Sequence, residues 1–583
     1  MKNKPKIANF PIGGILLISG LMFYYSIYYS YQFILEEQIR FFLFTADFFV
    51  SCMRKTGGFC EYITAFCAQF CQIKACGACL LLLMAVALWW LANKLLEPFR
   101  IKAFTCIHPS LLFIAFVWLL HTYVTYPLEK TVAFVLICLF CLLYKMIKQH
   151  NWRMIAGIIL ALSSWYLCGE SAFVLLFYML GFEKISASYP FKVSYLIVLG
   201  VVFLSLPFAL RFVLEPLTIR EIFGFQYLKQ EWVIGYYFLL FSLPLLIVYC
   251  LFVSKQWLLS SIIVLASAAM IYTGCAKTVN YHFETLMKLS RLSAQGEWDA
   301  VIAHMKKSKQ PNITTLNYYH LALAKTNRLC DELFVMGFPF VNSLTYKGTE
   351  SYVDKTRLSD IYWETGCYRT SQLYSTEAIA LLESGANAYH LKRLASIHMI
   401  YGENALAEKY LRILKKTLFY NQWAIEQLNA LQDNAFLDQV DWVREKRKQL
   451  PMKEYLIRTR LPLSTIEQLA LQHPGNKEAL QYMYVLMLLE KKISDLHTVI
   501  YLFRPEKIPV LVQEAILIYE ETKRIPDSQR IKTEYDQQVL RRFDFYKGMT
   551  RIQDLTPALS PIQYEFKKSY FYYYAFINVK PGE

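Results

Sequence analysis

The sequence predicts an all-α chain in two parts: a polytopic helical membrane domain of eight or nine spans, followed by an α-helical repeat domain. Three observations predict it. About eight apolar segments of membrane length precede residue 276; a polar tail of roughly 300 residues with helical periodicity follows; and the breaks in that tail recur at a near-constant interval. With 583 residues, 56% of them hydrophobic, the chain is too apolar for a soluble protein of its size and long enough for two domains. A soluble cytosolic or secreted enzyme is thereby excluded. The boundaries fall at 1–276 for the membrane domain, with an interfacial loop at 35–74, and at 277–583 for the repeat domain.

Lys2, Lys4 and Lys6 precede the first apolar run, 11–34, which is longer than a signal-peptide core and lacks a small-residue cleavage site. It reads as an uncleaved signal anchor, with the N-terminus in the cytoplasm. Further spans are expected at 75–96, 104–123, 130–148, 192–212, 232–252 and 256–275, each near the ~20 residues that a helix needs to cross a bilayer. The stretch 153–180 reads either as one tilted helix or as two short helices turning at Gly169-Glu170-Ser171. One helix gives eight spans and a cytoplasmic tail; the turn gives nine and an external tail.

The loop at 35–74 holds two amphipathic stretches, 38–53 and 59–72, too polar to cross the bilayer and aromatic enough to lie flat at its surface. Lys55-Thr56-Gly57-Gly58 separates them as a turn. Net charge is +16, from 20 Lys and Arg against 11 acids through Ala276 and 41 against 34 beyond it. A basic excess spread over both halves argues against a nucleic-acid partner. Cysteine is lopsided, with 12 of 14 in the first half. Cys52, Cys60, Cys67, Cys71, Cys76 and Cys79 crowd together, but with no histidine nearby they read as small hydrophobes, and no metal or cofactor is assigned.

From about residue 281 the pattern becomes amphipathic helix pairs broken at Gly296, Asn327, Gly366 and Gly402, which are 31, 39 and 36 residues apart. Spacing near 34 predicts a tetratricopeptide-like array. The aromatic run at 569–576 is expected to dock on the array or on the membrane interface.

Candidate chemistry sits in the first loop. Glu36 and Glu37 follow the first span at once, and as catalytic candidates either carboxylate can serve as a general base toward an acceptor hydroxyl. Arg40 and Lys74 are placed to steady a lipid phosphate, with Glu61 on the second interfacial stretch as a further substrate contact. Glu170 joins them because a carboxylate inside an apolar run is costly and marks a pathway or a partner. His108, His121 and His150 stand alone at span ends and read as structural. Walker, Gly-x-Gly-x-x-Gly and His-Glu-x-x-His patterns are absent from the sequence.

Several blocks resemble a family of uncharacterised multi-span bacterial membrane proteins with a tetratricopeptide-like C-terminal region, nearly end to end. They are Glu36-Glu37-Gln38 with Phe41-Phe42, Gly57-Gly58 with Tyr62 and Gln69-Phe70, Trp298-Asp299, Leu316-Asn317 with Leu321-Ala322-Leu323-Ala324, Lys409-Tyr410-Leu411 through Trp423-Ala424, and Gln513-Glu514-Ala515. More remotely, the order of first span, acidic loop, interfacial helices and short spans resembles membrane-embedded glycosyltransferases of the GT-C fold. That likeness implies a transferase of a sugar from a polyprenyl-phosphate donor, with Glu36 or Glu37 catalytic, an external tail, and membrane lipid and a protein acceptor or partner as its company. The Glu-Glu pair departs from the commoner Asp-containing forms. Two other readings stand beside it: a membrane-anchored scaffold whose array binds proteins, and a small-solute transporter resting on Glu170.

Overall fold

The computed structural model describes residues 12–99, 109–186, 200–201, 205, 230–252, 256–308, 311–337, 339–345, 348–432, 440–450, 463–549 and 566–577. Helix is the only regular structure among them. The chain divides into two compact units, Met1–Glu284 with Lys416–Phe419, and Thr285–Lys415 with Tyr420–Glu583.

In the first unit, α1 (Ile12–Phe23) ends in a π-helical turn (Tyr24–Tyr28), and α2 (Gln32–Ile39), α3 (Ala46–Met53) and α4 (Gly58–Ala68) follow. Next come α5 (Lys74–Leu96), α6 (Leu111–Leu120), α7 (Leu128–Met146), α8 (His150–Cys168), α9 (Phe173–Ser186), α10 (Val233–Phe252) and α11 (Gln256–Thr273). α5 is central and packs on α1, α6 and α7. Ala78, Leu81, Ala85, Leu88, Ala92 and Leu95, three or four residues apart, form its buried stripe, while Leu83 and Trp90 point outward.

α8 reverses the pattern of a helix in water. Arg153, Gly157, Ala161, Ser164, Trp165 and Cys168 face inward, and Ile155, Ile159 and Leu162 form the exposed stripe. Small inward residues let backbones approach closely. α10 likewise exposes Ile234, Phe238, Phe241, Leu245 and Val248 at helical spacing.

Three stretches among the described residues are long and apolar enough to cross a membrane: Ala75–Phe99, His150–Lys184 and Ser261–Thr278. Eight or nine were expected. Gly13–Tyr28, Leu111–Leu120 and Val233–Val248 are apolar but shorter, and α7 carries Glu129, Lys130 and Lys145 within 19 residues. The segments expected at 104–123 and 192–212 lie partly or mostly outside the described residues.

His150–Lys184, moreover, is not one rod. Arg153 Nε lies 2.6 Å from Glu183 Oε1, 30 residues away, whereas a straight helix would hold them about 45 Å apart. The chain doubles back through the 3-10 turn Gly169–Ala172, opened by Gly169 at φ +59°, a left-handed conformation that favours glycine. Of the two readings of 153–180, the structure adopts the turn.

The second unit stacks short helices, among them α12 (Tyr281–Ala294), which begins in the first unit, α13 (Trp298–Lys306), α14 (Ile313–Lys325) and α15 (Leu329–Glu332). α16 (Tyr352–Glu364), α17 (Tyr368–Ala380), α18 (Ala388–Ile400), α19 (Asn404–Leu414) and α20 (Asn421–Ala430) continue the stack. Gly296, Asn327, Gly366 and Gly402 all have positive φ and sit between successive helices. Across the Gly366 turn the α16–α17 pair is sealed by Ser359 Oγ, hydrogen-bonded to the hydroxyls of Ser371 and Ser375.

The chain then returns over three of these helix ends. Arg447, in α21 (Asp441–Arg447), donates to the carbonyls of Met399 and Ile400 at 2.9 and 3.0 Å. Asn476 donates to Thr365 O at 3.0 Å, and Gln481 to Ala324 O at 3.1 Å. Each side chain adds a hydrogen bond to a helix C-terminus, where Met399 O and Ala324 O also accept from Gly402 N and Asn327 N. Asn476 also caps its own helix, accepting from Ala479 N at 3.0 Å. Asn476→Ala, which removes both bonds, will lower the stability of the full chain by about 1–2 kcal/mol, measured as the shift in thermal unfolding of the purified protein.

The aromatic C-terminal helix docks on its own unit. Phe571 stacks on Phe543 and Tyr546 at 5.7 and 5.2 Å, and Tyr573 on Phe334 at 5.3 Å.

Candidate functional site

The site is built around the first turn of α7. Glu129 and Lys130, adjacent there, point to two different clusters and join them. On one side Arg40, just past the end of α2, donates from Nε to Glu36 Oε2 at 2.9 Å and lies 3.6 Å by Nη1 from Glu129 Oε2. The Glu36 and Arg40 side chains are each only 13% exposed. Burial works against the Arg40 charge, but the carboxylates of Glu36 and then Glu129 outweigh it and raise its pKa, with a smaller contribution from Glu61. Cys71, in the 3-10 turn Gln69–Gln72, has its thiol pushed well up by burial and then by the charges of Glu36 and Glu37.

On the other side Lys130 Nζ meets Glu170 Oε1 at 2.5 Å. Tyr236 OH donates to the same oxygen at 3.3 Å and shares a 2.9 Å hydrogen bond with Ser171 Oγ. Thr131, next to Lys130, heads a second set of bonds, to Tyr126 OH at 3.1 Å and His121 Nε2 at 2.9 Å, and Gln32 Nε2 reaches His121 O at 2.9 Å. This second set reaches α2, the helix that bears Glu36 and Glu37. Glu284 fixes the start of that helix, accepting from Tyr31 N at 2.7 Å and Gln32 N at 2.9 Å.

Beside Glu170 a cleft of about 200 Å³ opens between α9 and α10. Glu170 and Tyr237 share its lining with Phe173, Val174, Phe177, Leu240 and Phe241. An apolar cleft thus has one member of a buried ion pair in its lining. No three His, Cys, Asp or Glu side chains among the described residues converge as a metal-binding set.

The structure brings Glu36, Arg40 and Glu170 into one connected region, with Glu37 and Glu61 close to it. The Lys74 side chain lies outside the described residues. Glu129 and Lys130 escape sequence reading because they look like the charged flank of a span; the signal for them is an acid and a base side by side at the head of an apolar run. His121, read as structural, is a buried link in the network.

This chain belongs to a family of unknown function (DUF6057). The family model matches residues 5–577, nearly the whole length. No curated protein and no solved structure matches the chain.

Proposed function

We propose that this protein is a membrane-embedded transferase that moves a sugar from a polyprenyl-phosphate donor to an acceptor at the outer face of a bacterial cytoplasmic membrane. The observation that carries the reading is the aromatic cleft leading to the Lys130–Glu170 pair, one residue along α7 from the Glu129–Arg40–Glu36 cluster. An isoprenoid chain matches the cleft by its apolarity, and a phosphate matches Lys130 and Arg40 by charge. Glu36, held by Arg40 and shielded from water, is the general base of this scheme, with Glu37 its neighbour on α2.

The exposed apolar stripes of α8 and α10 support a lipid environment, since side chains of that size facing water at regular spacing are costly. The far end of α7 carries Lys145, hydrogen-bonded to Lys94 O and paired with Glu97, with Lys148 and Arg153 just beyond. By the positive-inside tendency that end is cytoplasmic and the site end external. Tyr281 OH lies 3.3 Å from Tyr24 OH, and Glu284 caps α2, so the tail starts at the site end as well. In this scheme the tetratricopeptide-like tail presents the acceptor.

In a strain lacking the native gene, the Glu36→Gln, Glu37→Gln double variant, present in the membrane at the wild-type level, is expected to lose the dependent surface glycan. The loss of a general base predicts a fall of about 10²–10⁴ in transfer rate. Unchanged glycan composition would sink the reading.

A cationic and aromatic face on the tail favours a second reading, that of a scaffold. Lys392 Nζ sits 4.9 Å from the Trp423 ring and 6.0 Å from Tyr420. Acidic protein segments fit such a face. Lys392→Glu with Trp423→Ala is expected to abolish co-purification of a partner if the protein is a scaffold, with Glu36→Gln and Glu37→Gln silent.

A further inference from the structure

Cys60, on α4, and Cys168, the last residue of α8, are 108 positions apart in sequence and share one small buried cluster with Val132 and Ala133. Their exposures are 1% and 3%. Three hydrogen bonds fix the two segments against each other. Cys60 Sγ donates to Leu167 O at 3.1 Å, Gly57 N to Tyr166 O at 2.9 Å, and Tyr166 OH to Met53 O at 2.6 Å. The Cys60 thiol is therefore held against the peptide that joins Leu167 to Cys168. Contact with the Cys168 thiol, and then burial, push the Cys60 pKa well up, as expected for two sulfurs side by side away from water. The position is also pointed: Gly169 and Glu170 follow Cys168 directly, so this junction supports the turn that presents Glu170 to the cleft.

We propose that Cys60 and Cys168 form a disulfide in the mature protein, tying the interfacial helix α4 to the turn that carries Glu170. The inference rests on the external placement of the site end, because only that compartment supplies an oxidant able to maintain the bond. The oxidant is a protein or small-molecule disulfide. One cysteine thiolate attacks it, forming a mixed disulfide and expelling one thiolate; the other cysteine thiolate then attacks the mixed disulfide and expels the second. The chain loses two protons and two electrons, and the oxidant's disulfide leaves as two thiols. Exchange precedes the docking of α4, while both sulfurs are still open to solvent. Once docked, the bond is shielded from reductants.

The test uses the full chain expressed in its membrane. Cells are quenched in acid, the denatured protein is alkylated with N-ethylmaleimide, and unreduced digests are read by mass spectrometry. Most molecules are expected to yield one linked peptide pair containing Cys60 and Cys168, separable only after reduction under denaturing conditions and absent from Cys60→Ser. Alkylation of both cysteines in most molecules, or linkage of either to a different cysteine, overturns the proposal. A companion Lys55→Cys variant, in the exposed turn before α4, reports the side of the membrane with an impermeant maleimide, scored above the parent chain. Labelling in intact cells together with free Cys60 and Cys168 removes the disulfide and leaves the topology standing. Labelling only after lysis removes the topology and the disulfide with it.

Discussion

Lys130→Met will lower the stability of the protein by about 3–5 kcal/mol, the cost of leaving one member of a buried ion pair without its partner. The Lys130 and Glu170 side chains are 9% and 11% exposed. After the substitution the Glu170 carboxylate lines the apolar cleft and keeps, among the described residues, the long 3.3 Å bond from Tyr236. Replacing both residues, Lys130→Met with Glu170→Leu, removes the stranded charge along with the pair and is expected to recover most of the loss. Apparent melting temperatures in one detergent compare the two variants directly. A double variant as unstable as the single one would show that the pair does not act as a unit. The recovered double variant separates stability from function, because the proposed transfer needs the cation at position 130 and stays lost in it.

Glu514→Ala is expected to release the C-terminal helix and to cost a similar 3–5 kcal/mol. Glu514 lies on α25 (Val510–Lys523), fully buried. Its Oε1 is ion-paired with Arg542 Nη2 at 2.7 Å, on α26 (Gln537–Met549), and its Oε2 accepts from Tyr570 N at 2.6 Å, at the start of α27 (Tyr570–Phe576). A single carboxylate thus holds together a guanidinium and the first amide of a helix whose N-terminus Ser569 also caps, through Tyr572 N. Loss of that carboxylate leaves Arg542 and the Tyr570 amide without it, and the aromatic run of α27 becomes open to chymotrypsin. Limited digestion of the full chain, followed from its C-terminus, reads the effect. Glu514→Gln, which keeps the shape and an acceptor oxygen, is expected to be cleaved at a rate between wild type and Glu514→Ala.

How much of this was legible in the sequence depends on the range of the interactions. Gly296, Asn327, Gly366 and Gly402 announced helix ends because a left-handed residue is a local requirement that glycine and asparagine meet cheaply. Gly169-Glu170-Ser171 was ambiguous for a related reason: one glycine permits a reversal but does not force it, and the deciding contact, Arg153 with Glu183, spans 30 residues. Glu36, Glu37 and Arg40 stood out by following an apolar run immediately. Glu129 and Lys130 did not, because charges at the head of a span usually face headgroups, and only the packing of α7 on its neighbours turns them toward Arg40 and Glu170. The number of crossings was read from apolar length alone, a measure blind to charges such as Glu129 and Lys145 within α7 and to helices that end early.

The caps from Arg447, Asn476 and Gln481 carry a consequence for the order of synthesis. The helix ends they close lie at Met399 and Ile400, Thr365, and Ala324, so each waits for a residue made between 47 and 157 positions later. A nascent tail leaving the ribosome therefore holds its first helix pairs with open ends until residue 481 has emerged. Chains stopped before residue 440 never receive any of the three closures and meet the quality-control proteases of whichever compartment they enter with those helix ends unsealed.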